Sequence, residues 1–392
     1  MSPAMLGNIG LGGYRVRGVK DKPGLTQIEL EPGVGVECPR CGGRHLHSKG
    51  RWERRVRHLD CFGLRSEMVV STRRYRCLGC NRHFVPALPG IRPWRRSSEP
   101  YRERIYQQHE DGICASRLAW RERIGAATVG RIYAEHTARK ARERQRLECP
   151  PVLGIDEHSL RRDGTFVTTF ADLRRHKVFD VAEGRSAREM IRFLSGLRGR
   201  HKVRVVCIDL SSAYRDLVAK WFPNAIIVAD RFHAVRIVMH HFLELARELA
   251  PIKRDRAALR LLRTRPDNLC AAQRQRLEAL LHTHAVLDPL YRKMRQICDL
   301  LNHKGQSKSA CRHLARVLIG HIRDLRQVGF PRLKTLAKTL DAWAAPIAAM
   351  WRFRKSNSIT EGFHRKMKLI QRRAYGFRNF ENYRLRVIAQ CG

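Results

Sequence analysis

The chain reads as a mixed α/β core carrying an all-helical segment, preceded by a small cysteine-rich domain and a pair of short helices. Three observations predict this. Five short apolar runs alternate with helix-like stretches between residues 152 and 250. Residues 251–350 place Leu, Ala and Arg at helical spacing with no strand-like run. Two CxxC pairs, Cys38/Cys41 and Cys77/Cys80, sit upstream in a Gly- and Arg-containing segment with little room for a core.

Composition bounds the rest. The chain has 392 residues, 43% of them hydrophobic, which allows two or three domains and excludes a disordered basic tail. Lys and Arg number 78 against 36 Asp and Glu, a net charge of +42. The excess is spread along the chain, as expected of a surface that tracks a phosphate backbone. Membrane-surface and ribosomal-type proteins share such a balance. No apolar run approaches the roughly 18 residues a bilayer span needs, and residues 1–20 lack a secretory pattern. A cytosolic location follows, so the 12 cysteines are expected reduced or metal-bound.

Residues 1–30 are Gly-rich and without clear period, an N-terminal segment. Residues 31–90 are expected to form a zinc ribbon. A CxxC turn lets two thiolates reach one tetrahedral Zn²⁺, and two such turns complete the set Cys38, Cys41, Cys77 and Cys80. Pro39 and Gly79 suit tight knuckles, and the alternating stretches between them suit short strands. Cys61, His45, His47, His58 and His83 are lesser candidate ligands, and a redox or buried-cysteine role is the plain alternative. Arg51, Arg54, Arg55, Arg73 and Arg74 are candidates to contact DNA, or a solvated face.

Residues 91–150 are charged and helix-like, ending at Cys149-Pro150-Pro151. Within them a helix near 113–121, a break at Ile124-Gly125 and a second helix fit a helix-turn-helix, with Arg123, Thr128 and Arg131 facing DNA. An ordinary helical hairpin is the alternative.

Residues 151–392 form the last domain. Apolar runs at 152–156, 165–171 and 177–182 are spaced as an antiparallel meander. Runs at 203–209 and 225–229 alternate with helices at 186–198, 212–221 and 231–250, as parallel crossovers do. Asp156 and Asp209 end the first and fourth runs, where ligands collect in α/β sheets. Glu361 opens a basic amphipathic helix starting near Ser358. Carboxylates so placed in a +42 chain suggest a divalent-metal site acting on a polyanion. Each also has a structural reading: a turn cap for Asp156, a helix N-cap for Asp209, and a Ser358/Glu361 capping box. Asp172, Asp180, Glu157 and Asp230 compete for the same roles, and spacing alone does not choose among them.

The segments VLGIDEHS, VRVVCIDLSSAY, FPNAIIVADRFH and SNSITEGFHRKMK…RRAYGF, with CPRC…CLGC upstream, resemble the insertion-sequence transposases of the ISL-three family over about residues 35–388. That family is similar to other DDE transposases with an RNase H-like catalytic domain. The resemblance implies Asp156, Asp209 and Glu361 as metal ligands for two Mg²⁺ (or Mn²⁺) ions, with residues 251–350 as an insertion before the last helix. Two such ions activate a water or 3′-hydroxyl and stabilise the leaving oxygen. Asp230-Arg-Phe-His233 resembles an Asp-x-x-His motif of related transposases, which makes His233 a site candidate beside the reading of an N-cap and a helix histidine.

His364, Arg365 and Lys368 flank the Glu361 face of the helix, and Arg372, Arg373, Tyr375 and Arg378 continue it. They are candidates to hold phosphate, or a solvated basic face. Trp343 and Trp351 read as core, with base stacking as the alternative. The expected activity is metal-dependent cleavage of element ends and transfer of the freed strand to target DNA. The partners are double-stranded terminal repeats and target DNA; a homodimer or higher assembly on paired ends, in a nucleoid-associated bacterial protein, is implied by the resemblance alone. A zinc-ribbon regulator derived from an inactive transposase is the alternative, and an RNase H-like nuclease is a third.

Overall fold

A computed structural model describes residues 10–392 apart from 34, 146, 162–163, 253–254 and 354–356. The chain forms two compact units, Met1–Arg139 and Lys140–Gly392.

The first unit is built on a five-stranded sheet. Strands β1 (Tyr14–Lys22) and β2 (Leu25–Pro32) form a hairpin, as do the long strands β3 (Leu46–Cys61) and β4 (Leu64–Cys77). The two hairpins join through parallel pairing of β2 with β4, and β5 (His83–Phe84) pairs the far end of β4. A boundary at residue 30 therefore falls inside β2. Sequence periodicity missed this first hairpin because a register shift between Val16 and Gly18 breaks the alternation of β1. Ile28, Leu30, Val56, Met68 and Val70 make the small core of the sheet. Helix α1 (Glu99–Glu110) starts at Ser98, whose hydroxyl accepts from the Tyr101 amide, with Pro100 in the first turn. Helix α2 (Ala115–Glu122) ends at Arg123 in the left-handed region, and α3 (Ala126–Gln145) follows after Gly125. Tyr101, Ile105, Leu118, Val129 and Ile132 lock these three helices together.

The second unit holds a mixed five-stranded sheet. Strands β6 (Val152–Ser159), β7 (Phe166–Asp172) and β8 (Lys177–Glu183) are antiparallel; after helix α4 (Ile191–Gly196), β9 (Val205–Ile208) pairs parallel to β6. Helix α5 (Ser212–Trp221) then crosses to β10 (Ile226–Ala229), giving the order β10-β9-β6-β7-β8. The meander and the parallel crossovers lie where the apolar runs predict them. Helix α6 (Arg231–Leu249) leaves β10 with Asp230 as its cap. Helices α7 (Arg256–Arg263), α8 (Ala271–Thr283), α9 (Leu287–Asn302), α10 (Lys308–Gln327), α11 (Pro331–Ala342) and α12 (Ala344–Arg352) fill the next stretch, with no strand among the described residues.

Helices α13 (Ser358–Arg373) and α14 (Phe380–Cys391) close the chain. One buried cluster joins Ile155, Phe170 and Ile208 to Val238, Ile297, Leu336 and Trp351, so the sheet and the inserted helices share a core. A second joins Val167, Val178 and Val181 to Met367, Ile370, Tyr383 and Val387, seating α13 and α14 on the meander. Trp351 is fully buried and donates from Nε1 to Leu300 O (2.9 Å), and Trp343 is 4% exposed, so both are core rather than stacking platforms. Glu361 does not share a described capping box. The helix begins at Ser358 with Asn357 as its cap residue, and the Ser358 side chain lies outside the described residues.

Candidate active site and metal centre

Sheet register assembles the acidic site. Ile155 pairs with Ile208, and Ile208 pairs with Ala229. The next residue on each strand is acidic: Asp156, Asp209 and Asp230. Three carboxylates thus stand side by side along one edge of the parallel half of the sheet. Asp209, Asp230 and His233 bring ligand atoms within 4.8 Å of one another. His233 Nδ1 lies 2.9 Å from Asp230 Oδ2 and 2.7 Å from Asp209 Oδ1. The ring nitrogen thus stands between two carboxylate oxygens, and Asp209 Oδ1 is itself buried.

The electrostatics follow from this crowding. Burial, then repulsion from Asp209, pushes the Asp156 carboxyl up to about 7. Burial works against charge on His233, but the adjoining Asp209 and Asp230 outweigh it and raise the imidazole to about 9. Carboxylates crowded in this way fit a hard cation that takes oxygen ligands.

Asp230 is 2% exposed and both its oxygens are engaged: Oδ2 by His233, Oδ1 by the Asn357 amide (3.1 Å). Sequence reading gave the Asp230/His233 pair two alternatives, helix capping and site chemistry, and the geometry combines them. Asn357 went unnoticed. Its buried side chain donates from Nδ2 to Ile155 O (3.0 Å) and Cys207 O (3.3 Å), tying together the two strand ends that carry Asp156 and Asp209. A Cβ on Gly154 would lie 2.2 Å from Asn357 Oδ1, so glycine leaves the room this side chain occupies. The SNSITEG segment held the signal, but only long-range register gives it meaning.

Glu361 stands one turn before His364 on α13, exposed and paired with Arg365 (2.7 Å). It is not among the atoms that converge on His233. His364 differs from the expectation of a phosphate-facing residue. It is 9% exposed, its Nε2 is 3.2 Å from Thr169 Oγ1 and its Nδ1 is 3.8 Å from Asp156 Oδ2. Burial, then the Lys368 charge, holds it down to about 4, so it is neutral near pH 7. Arg365, Lys368, Arg372 and Arg373 are exposed along α13.

In the first unit Cys38, Cys41, Cys77 and Cys80 bring their sulfurs within 4.8 Å of one another. The Cys38–Cys80 and Cys41–Cys77 sulfurs are each 3.5 Å apart. A tetrahedron with Zn–S near 2.3 Å has edges of about 3.8 Å, so the donor set fits Zn²⁺. Burial opposes charge on Cys38, but the Arg40 and Cys41 amides aimed at its sulfur lower the thiol to about 6. A Cβ on Gly43 would lie 3.3 Å from Cys41 Sγ, so glycine there keeps the sulfur uncrowded. Cys61, His45, His47, His58 and His83 are outside this cluster.

The expected DNA-facing arginines divide. Arg51, Arg55, Arg73 and Arg74 are exposed, with Arg55 paired to Glu53, and Arg51 stands directly across from Arg73. Like charges opposed in this way repel unless an anion lies over them. Arg54 instead turns inward, its Nη2 donating to Arg92 O and Arg95 O (2.6 Å each). Arg123 and Arg131 are exposed at the α2–α3 turn, where Arg131 donates to Thr128 Oγ1.

Comparison with known proteins gives two family matches. Residues 153–387 match the ISL3 DDE model described as "Transposase", and residues 35–80 match "zinc-finger of transposase IS204/IS1001/IS1096/IS1165". The chain is 28% identical over 404 residues to the transposase for insertion sequence element IS1001 of Bordetella parapertussis, covering 97% of this chain and 96% of that one.

Proposed function

The chain belongs to the ISL3 family of DDE transposases, and from that premise we propose that it binds insertion-sequence ends and performs metal-dependent DNA strand cleavage and strand transfer. The observation that carries this is the register that sets Asp156 and Asp209 side by side at the end of the parallel strands. The strand order β8-β7-β6-β9-β10 supports an RNase H-like core with the α7–α12 helices as its insertion.

In this reading Asp156 and Asp209 hold divalent metal, two Mg²⁺ or Mn²⁺ ions, with Glu361 of α13 as the third carboxylate. Bound there, the metal would supply an activated water or 3′-hydroxyl and would stabilise the leaving oxygen. Asp230 and His233 orient the cluster from behind, because the Asp230 oxygens are already engaged. His364 excludes water beside Asp156, and the exposed Arg365, Lys368, Arg372 and Arg373 hold phosphate.

The zinc ribbon and the α2–α3 pair, read as a helix-turn-helix, recognise terminal repeats. Arg51, Arg55, Arg73, Arg74, Arg123, Thr128 and Arg131 face that DNA, and the opposed Arg51 and Arg73 support an anion over the ribbon. No helix among the described residues is long and apolar enough to cross a membrane. We place the protein in the cytoplasm, on the nucleoid, acting as a homodimer or higher assembly on paired ends.

The test is nicking and joining of a labelled duplex carrying the flanking terminal repeats, in Mg²⁺ or Mn²⁺, with wild type and Asp209→Ala. Metal-dependent cleavage and joining lost in the variant is the expected result. Specific binding without chemistry under any metal condition would make the chain a regulator instead. Cleavage of substrates lacking element ends, without joining, would make it a nuclease.

A further inference from the structure

The first unit spends conformational strain to display one aromatic ring. Arg92-Pro93-Trp94-Arg95 forms a turn closed by the Arg95 amide on Arg92 O (3.3 Å). Pro occupies the second position, and Trp94 the third with φ +62°. That position is ordinarily glycine, because a side chain in the left-handed region is strained. Yet Trp94 is 96% exposed and has no ring, cation or hydrogen-bond contact among the described residues. Nothing in its own packing repays the strain.

The turn is held rigidly. The Arg54 guanidinium clamps the carbonyls of Arg92 and Arg95 on either side of the indole. Arg92 pairs with Glu99 (2.7 Å), and Arg95 pairs with Glu135. The Arg57 amide donates to Arg96 O and the Ser98 amide to Arg57 O, each at 3.0 Å. Tyr14 Oη reaches Pro89 O (2.8 Å). A braced loop bearing an exposed aromatic costs little further ordering when it binds, which is the behaviour of a binding hot spot.

Charge identifies the occupant. Residues 1–139 carry 26 Lys and Arg against 13 Asp and Glu. Arg96, next but one to the indole, is exposed. Burial of so positive a surface against a second copy of itself is disfavoured, whereas a DNA duplex offers phosphates to the charge and apolar sugar and groove surface to the ring.

We propose that Trp94 is a DNA-contact residue, its indole packing on the sugar and groove-edge surface of the duplex held by this unit. The inference rests on the DNA-binding reading above and adds a site to it. Arg54, expected from sequence to touch DNA, acts instead as the brace that positions Trp94.

The experiment measures affinity of the full zinc-loaded chain for a terminal-repeat duplex across a salt series, for wild type, Trp94→Ala, Trp94→Phe and Trp94→Gly. Loss of one buried aromatic contact weakens binding roughly ten- to hundredfold in the Ala and Gly variants. Phe retains most of the affinity. The slope of log affinity against log salt stays unchanged, since no phosphate contact is lost. Trp94→Gly relieves the backbone strain, so it raises the unfolding midpoint while it weakens binding, and the opposite signs separate function from folding. Wild-type affinity in the Ala and Gly variants overturns this inference and leaves the DNA-binding reading intact. Failure of the wild type to bind any duplex overturns the DNA-binding reading itself. Variants with unchanged affinity but lower sedimenting mass assign the loop to a second copy of the chain, and the DNA assignment falls.

Discussion

Gly154→Ala is the sharpest test of how the acidic edge is held. The new methyl would sit 2.2 Å from Asn357 Oδ1 and 2.8 Å from Leu173 Cδ2. The first distance is about 1 Å shorter than non-bonded atoms accept. Asn357 cannot swing away freely, because Nδ2 is bound to Ile155 O and Cys207 O and its amide is bound to Asp230. Overpacking costs about 1–3 kcal/mol. Losing the donor to two buried carbonyls costs about 1 kcal/mol each. The narrower unfolded ensemble of Ala returns about 0.4–1 kcal/mol. The net is roughly 2–4 kcal/mol, or a melting point lower by on the order of 10 °C for a unit of this size. Strand cleavage should fall more steeply than stability at the assay temperature, since the displaced side chain carries the entry to α13. Calorimetry and single-turnover nicking measure the two effects. In Asn357→Ala the obstructing oxygen is gone, so adding Gly154→Ala should cost much less than it does in wild type. An unchanged midpoint and nicking rate in Gly154→Ala, or strict additivity in the double variant, would refute the reasoning.

Four further outcomes follow from other parts of the fold. Cys77→Ser, or chelation of the wild type, should release zinc by native mass spectrometry and unfold the knuckle end of β3–β4, because ligand binding and folding are coupled in such small sites. Trp351→Ala should destabilise the second unit by about 3–5 kcal/mol in chemical denaturation, with terminal-repeat affinity unchanged, since the indole is fully buried. Arg384→Ala leaves Asp180, 11% exposed, without the guanidinium that contacts both its oxygens at 2.7 Å. It should cost about 3 kcal/mol and expose α14 to limited proteolysis. His136 is held below its ordinary pKa by burial, then by the Arg139 charge. Its contribution to stability is therefore complete above about pH 6.5 and declines as pH falls below that value. His136→Phe should flatten that part of the melting-point profile.

The second unit was legible wherever local pattern and tertiary demand agreed. The α5 helix begins and ends where the sequence reading put it, and β6, β7, β8 and β10 lie within a few residues of their apolar runs. Asp156 and Asp209 could be named because β-branched runs led into them. The mutual register of β6, β9 and β10 could not be read, because parallel strands pair across long crossovers whose length does not encode alignment. Without it, Asp230 was one competitor among several, and Asn357, bonded to carbonyls 202 and 150 residues away, was invisible. His364 looked like part of a basic face because its neighbours Arg365 and Lys368 are charged, yet α13 turns it inward with Met367. In the first unit, CxxC spacing revealed the cysteine cluster, while the bulge in β1 hid a hairpin and an inward-turning Arg54 passed for a surface residue.

The position of Asn357 also orders events in time. The residue that ties β6, β9 and the Asp230 cap together lies after everything it joins. During synthesis the cysteine ribbon, the sheet and the inserted helices all leave the ribosome before it. A nascent chain, or a fragment ending short of residue 357, lacks both this tie and the helix bearing Glu361. Assembly of the acidic edge therefore waits for residue 357, and a chain interrupted before it holds the three strand-end carboxylates without the side chain that ties their strands together.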